Sequence, residues 1–195
     1  MLAYDGDKIC SRLSLLGRAE KTAFAVACAQ RLWPLLERCA EKSAHGELDK
    51  LASALEATWL AVAGEHADLA SVPALADEVM PDEDDVGWTR EAGYAQNAIS
   101  SIGYAASTWL TGDPQEATWA ALQLYEAADY ASQQLQQDIE LNSGEAETAL
   151  REHPVVQEAL ESIALDLRAV ESGLDWQQLR ASAQRFGDAW SKRLP

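Results

Sequence analysis

The stretch that decides the fold runs from Tyr94 to Leu135 and reads YAQNAISSIGYAASTWLTGDPQEATWAALQLYEAADYASQQL. Apolar residues recur in it every three or four positions on both sides of the TGDP sequence, which is the spacing of one buried stripe on an α-helix. Gly112 suits the end of the first helix, while Asp113 and Pro114 suit the N-cap and the first position of the second. The segment therefore predicts two long consecutive helices.

The same spacing continues outward through most of the chain. Apolar stripes run from Phe24 to Cys39, from Leu48 to Val62, from Val155 to Val170 and from Trp176 to Trp190. The connections between neighbouring stripes are short, which favours helices that pack side by side in alternating directions. The sequence therefore predicts an all-α, single-domain, up-and-down bundle of six to eight helices.

Breaks in the pattern give the organisation of the domain. Gly64 and Gly173 are predicted to end helices, and a break is expected at His153 and Pro154. Residues 81–87 contain proline, four consecutive acids and glycine, which predicts a loop that joins the N-terminal and C-terminal helices of one domain over residues 1–195. A solenoid of paired helices is the alternative fold, although no internal repeat in the sequence supports it.

Composition narrows the class of protein. The 195 residues are 48% apolar and include seven tryptophans, which excludes a disordered acidic tail. The N-terminal residues do not resemble a secretory leader, and no apolar run approaches the ~20 residues that span a bilayer. The chain has an odd number of cysteines, Cys10, Cys28 and Cys39, which favours reduced thiols over a disulfide framework. We therefore expect a globular protein of the cytoplasm.

Charge is distributed unevenly along the chain. Residues 51–150 hold eighteen Asp and Glu against the single cation Arg90, so the net charge of −17 lies in that segment. A field of one sign attracts partners of the opposite sign and repels nucleic acid and anionic membranes. The sequence therefore predicts a basic protein partner, with no binding to nucleic acid or membrane.

The densest acids and one tryptophan form the candidate binding residues. Trp88 lies three residues after Asp85, the last acid of an acidic run, and an aromatic ring near charges is common at the centre of interfaces. The alternatives are a solvated acidic surface and a tryptophan that pins the loop to the bundle. The predicted partner-binding residues are Asp77, Glu78, Asp82, Glu83, Asp84, Asp85, Trp88, Glu126 and Asp129.

The other aromatic residues are assigned to the core. Five tryptophans lie on apolar stripes, and each is expected to place its indole nitrogen near an acceptor at the rim of the core. These tryptophans are Trp59, Trp109, Trp119, Trp176 and Trp190.

Motifs for catalysis and metal binding are missing from the sequence. A calcium loop starting at Asp82 would place Val86 and Gly93 where ligands belong, and the three histidines lack di-iron and zinc spacing. There is no phosphate loop and no nucleophile elbow, and Cys28 and Cys39 suit the core better than redox chemistry. We therefore expect a protein with no enzymatic activity, cofactor or metal.

Five runs resemble the YjaG-like bacterial family, an all-helical family of unknown function. They are FAVACAQRLWPLLERCAE (24–41), LDKLASALEATWLAVAG (48–64), VMPDEDD (79–85), STWLTGDPQEATWAA (107–121) and REHPVVQEALE (151–161). The resemblance implies a compact helical domain, and it supplies no catalytic residue to transfer.

Two classes of function fit these observations. The first is a protein-binding module, most concretely an immunity or antitoxin-type inhibitor that neutralises a basic toxin domain of the nuclease kind. The second is a housekeeping or signalling protein that holds a small ligand or a metal inside the bundle, with Tyr94, Tyr104, Tyr125 and Asp129 as candidate contacts.

Overall fold

The computed structural model describes residues 1–40, 46–82, 89–136, 144–173 and 175–195. These residues form nine α-helices and a final 3-10 turn at Ser191–Arg193, and none of them lies in a strand. The helices are α1 Gly6–Leu13, α2 Arg18–Ala40, α3 Gly46–Val62, α4 Val72–Glu78, α5 Arg90–Thr111, α6 Pro114–Leu135, α7 Gly144–Glu152, α8 Pro154–Glu171 and α9 Trp176–Trp190.

The predicted all-α bundle is confirmed. The described residues hold nine helices where the periodicity predicts six to eight, because α1 and α4, of eight and seven residues, are too short to show a full apolar stripe. Most of the predicted loop at 81–87 lies outside the described residues.

Local signals set the helix ends as predicted. Gly112 ends α5 with a φ of +74°, and Asp113 then caps α6 by accepting a hydrogen bond from the Gln115 N–H at 2.9 Å. His153 caps α8 in the same way, and Asp175 caps α9. These ends depend on neighbouring residues alone, which is why the sequence shows them.

Helix α2 occupies the centre of the bundle. Every side chain from Thr22 to Leu32 is buried, and the helix packs against α3, α5, α6, α8 and α9. Cys28 has no exposed surface, and burial raises the pKa of its thiol far above the usual value, which confirms its place in the core. Helix α5 lies beside α2 and packs against four helices, as expected for a central helix.

A buried ion pair joins α2 to α8. The Arg31 guanidinium donates two hydrogen bonds to the Asp166 carboxylate, at 2.9 and 2.6 Å, and each side chain is only 3% exposed. The Phe186 ring of α9 lies 4.6 Å from the guanidinium carbon. Side chains from α2, α8 and α9 therefore contact one another at the Arg31 guanidinium.

The approach of α9 to α2 is closest at Gly187. A Cβ atom on this residue would lie 2.7 Å from the Arg31 carbonyl oxygen. Relief of this clash would require the backbone of α2 or α9 to shift. Glycine is therefore required here by the contact between the two helices.

The tryptophan assignments are confirmed only in part. Trp59 and Trp190 are buried, and Trp109 and Trp176 are half-buried. The assignment of Trp119 to the core is wrong, since its side chain is 40% exposed. The indole nitrogen of Trp59 donates to Gln30 Oε1 at 3.1 Å as expected, whereas that of Trp190 has no partner among the described residues, because Trp190 lies deeper than the rim.

Candidate functional site

Two adjoining clefts lie on the outer side of the α5 and α6 pair. The first, of about 260 Å³, is walled by α4, α5 and α6, and its lining includes Asp77, Tyr104, Glu116 and Trp119. The second, of about 710 Å³, lies between α5 and α6. Its lining includes Asn97, Tyr125, Glu126, Asp129, Tyr130 and Gln133.

The helical period places the two clefts along the same side of α5. On α5 the lining residues follow each other at intervals of three or four from Gly93 to Ser107, so they share one side of that helix. On α6 the lining residues occupy the half of the helix that is centred on Trp119, Glu126 and Gln133. We call this surface, with the lining residues of both clefts, the acidic groove.

Small residues bring the walls of the groove together. A Cβ atom on Gly103 of α5 would lie 3.0 Å from the Cβ of Ala76 on α4, so α4 and α5 touch at this point. A Cβ atom on Gly93 would lie 3.2 Å from the Tyr130 ring on α6. The two glycines therefore fix how closely α4 and α6 flank α5.

The carboxylates of the groove influence one another. Burial raises the pKa of Glu116, and the charge of Asp113 adds to the effect. Burial also raises the pKa of Glu126, where a hydrogen bond with Gln123 acts in the opposite direction and Asp129 adds to the rise. Both shifts mean that a negative charge is less favourable here than in water, so a cation bound nearby would be stabilised.

Tyr104 connects the acids of the two clefts. Burial raises the pKa of its hydroxyl most, and the charges of Glu116, Glu126 and Asp77 raise it further. Asp77 is on α4 and the two glutamates are on α6, so acids from separate helices act on one point of the groove. In the part of the chain that the structure describes, neither cleft has a lysine or an arginine in its lining.

Aromatic rings accompany the carboxylates. Trp119 packs against Tyr104 with the ring centroids 5.5 Å apart, and Tyr125 stacks on Tyr4 at 5.2 Å. Trp119 is exposed because the opposite side of α6 carries small residues, among them Ala120 and Ala121, which pack against the core. The large ring is thus left on the groove side, where it offers apolar surface to a partner.

The structure brings together three of the predicted binding residues. Asp77 lines the first cleft, and Glu126 and Asp129 line the second. Glu78 on α4 and Asp82 beyond it are exposed but line neither cleft. The predicted residues Glu83, Asp84, Asp85 and Trp88 lie outside the described residues.

Sequence reasoning missed three residues of the groove. Glu116 has no predicted binding role, Tyr104 is predicted at an interior ligand site, and Trp119 is predicted in the core. A projection of α6 at 100° per residue would have found Trp119, because it falls on the same side as Glu126 and Asp129.

The residues proposed for an interior ligand do not converge. Tyr94 lies in the core with no exposed surface, whereas Tyr104, Tyr125 and Asp129 line the surface groove. Among the residues described, no group of three or more His, Cys, Asp or Glu side chains could hold a metal ion. No described helix is both long and apolar enough to cross a bilayer.

Comparison with known proteins gives the family. Residues 8–184 match the family described as "Protein of unknown function (DUF416)". The chain belongs to the DUF416 family. The expectation of an all-helical family of unknown function is thereby confirmed.

A solved DUF416 structure shares the fold. The chain is similar to a DUF416 family protein from Shewanella baltica OS155, known from a crystal structure, with 17% identity and a TM-score of 0.73. The alignment covers 92% of each chain, and at this identity it shows the fold alone. A comparison with curated proteins finds no match.

Proposed function

We propose that this DUF416 protein is a non-enzymatic binding module that holds a basic protein partner in the acidic groove. The observation that carries the proposal is the composition of the groove, where carboxylates from α4 and α6 surround exposed aromatic surface and no lysine or arginine among the described residues lines either cleft. Since the lining offers no competing cation, the lysines and arginines of a partner would be the first to neutralise it.

The groove is suited both to attract a partner and to hold it. A cleft lined by charges of one sign concentrates the field and raises the rate of association with a partner of the opposite sign. Trp119, 40% exposed and packed on Tyr104, supplies the kind of aromatic anchor that dominates binding energy at interface centres. Charge would therefore set the association rate, and the rings would set the lifetime of the complex.

The most concrete form of this function is an immunity or antitoxin-type inhibitor of the cytoplasm. Nucleases are basic where they contact the phosphates of their substrate, so an acidic protein that covers those contacts blocks the enzyme without chemistry of its own. The excess of acids in residues 51–150 and the single cation Arg90 agree with such a role.

The experiment is a capture from the native host at low salt, followed by an inhibition assay. Tagged protein should retain a basic polypeptide that detaches as salt is raised, and the captured polypeptide should cleave nucleic acid only when released. Absence of any basic polypeptide at low salt would rule out the proposal. Capture of a basic protein without nuclease activity would retain the binding module and reject the toxin inhibitor.

Charge reversal tests the place of binding. The pair Glu116→Lys and Glu126→Lys should slow association by roughly tenfold or more at low salt, since steering acts mainly on the association rate. The matched control is Glu152→Lys with Glu161→Lys, two exposed acids of α7 and α8 outside the groove. If both pairs slow association equally, the groove is not the interface.

A further inference from the structure

A second groove lies at the proline inside α2, away from the acidic groove. Its walls are α2, α3 and α9, and its volume is about 470 Å³, within the range of small-molecule sites. We call it the proline groove. Its lining includes Gln30, Trp33, Pro34, Glu37, Arg180 and Asp188.

Pro34 leaves a backbone acceptor without its helical partner. In an α-helix the carbonyl of residue 30 accepts a hydrogen bond from the N–H of residue 34, and proline has no N–H. Pro34 lies well inside α2, which continues to Ala40. Because Gln30 and Pro34 both line the groove, the turn of α2 that carries this carbonyl forms part of its wall.

The neighbouring side chains hold this wall in place. Gln30 is 6% exposed, and its Oε1 accepts the indole N–H of Trp59 at 3.1 Å. Arg180 lies over the same indole, 5.8 Å from the ring centroid. The side chain of Gln30 is therefore held in place before a ligand binds, which lowers the ordering cost of binding.

The free charges of the groove are negative. Arg180 donates two hydrogen bonds to the Glu56 carboxylate, one of them from Nη1 to Oε1 at 3.1 Å, so its charge is already paired. Glu37 and Asp188 are exposed, and neither has a hydrogen bond or ion pair with another described side chain. Two carboxylates are thus available to a bound cation.

Apolar surface completes the site. Trp33 is half-buried, lines the groove and packs on the core, and Leu55 of α3 lines the facing wall. An indole ring attracts a cation as well as an apolar body. The lining therefore combines a backbone acceptor, two carboxylates and an aromatic ring.

We propose that the proline groove binds a small organic cation, namely a primary amine that carries an apolar body. The ammonium group donates a hydrogen bond to the Gln30 carbonyl and lies within reach of the field of Glu37 and Asp188. The apolar body packs on Trp33 and Leu55. This site uses none of the residues of the acidic groove, so it stands or falls independently of the function proposed above.

The test measures binding of phenethylamine by calorimetry, with phenethyl alcohol as the neutral probe of similar shape. The amine should bind saturably at millimolar concentration and shift the indole N–H resonance of Trp33, whereas the alcohol should not. No saturable binding of the amine, or equal binding of the alcohol, would overturn the proposal.

Pro34→Ala isolates the backbone acceptor. The alanine N–H would restore the helical hydrogen bond to the Gln30 carbonyl, so the melting temperature should rise while the affinity for the amine falls by about tenfold, the loss of one hydrogen bond to a charged group. Affinity unchanged by this substitution would show that the carbonyl takes no part and would overturn the site.

The carboxylates are tested by Glu37→Gln combined with Asp188→Asn. Each exposed charge contributes a factor of about two to five, so the pair should weaken binding by roughly four- to twenty-five-fold. Glu65→Gln, an exposed acid beyond α3 that does not line the groove, is the control for net charge. A control that weakens binding as much as the pair would show attraction to the whole protein and reject the site.

Discussion

Replacing Asp166 with alanine should strongly destabilise the protein, because it leaves the guanidinium of Arg31 without a counter-charge in the core. The wild-type pair has two short hydrogen bonds, at 2.9 and 2.6 Å, and 3% exposure on each side. Removal of one partner of such a pair costs about 3–5 kcal/mol of unfolding free energy. For a chain of this size the melting temperature should fall by roughly 6–20 °C.

The assay is urea denaturation followed by circular dichroism, with two comparison variants. Arg31→Met combined with Asp166→Leu removes both charges and keeps apolar volume, so it should recover most of the lost stability. Glu171→Ala breaks the bidentate pair with Arg12, whose side chains are 33% and 32% exposed, and should cost about 1 kcal/mol or less.

Two results would refute this reasoning. Asp166→Ala within about 1 kcal/mol of the wild type would mean that water reaches Arg31 and solvates it. A double variant less stable than Asp166→Ala would mean that the cost comes from lost packing, and not from an unpaired charge.

Two further predictions concern the surface and the aromatic residues. Since burial raises the pKa of Glu116 and Glu126 above 4.5, ionising them costs stability as pH rises through their folded-state values, so Glu126→Gln should stabilise the protein at neutral pH. The hydrogen bond from Arg180 lowers the pKa of Glu56, so the ionised Glu56 stabilises the fold above pH 4.5, and this stabilisation is lost as pH falls. An NMR titration of the carboxyl groups should show raised pKa values for Glu116 and Glu126 and a lowered pKa for Glu56. A common pKa for the three glutamates would contradict this prediction. Trp59→Ala should cost about 3–5 kcal/mol in urea denaturation, whereas Trp119→Ala should cost much less; equal losses would contradict the exposed position of Trp119.

The helices could be predicted because their signals are local. Asp113 and Pro114 mark the start of α6, and His153 marks the start of α8, whatever packs around them. Periodicity also identifies α2 as a helix, although it predicts one buried stripe where every side chain from Thr22 to Leu32 is buried. It does not tell which side of α6 faces inward, because alanines lie on one side and aromatic rings on the other, which is why Trp119 was misassigned.

The candidate site could be predicted only in pieces. The sequence shows that Asp77 and Glu126 are acidic, but their place in one groove follows from the packing of α4 and α6 on α5. The same holds for the proline groove. Pro34 can be read from the sequence, whereas Arg180 and Asp188 reach it only through the contact of α9 with α2.

The burial of α2 has a consequence for synthesis of the chain. Its residues from Thr22 to Leu32 are buried, in part by α8 and α9, which are translated after the other described helices. At 5–20 residues per second, the helix waits roughly 8–30 s on the ribosome before α9 follows it. Throughout that interval α2 lacks the cover that α9 provides, so we expect the nascent chain to expose apolar surface to chaperones even after the acidic groove has been synthesised.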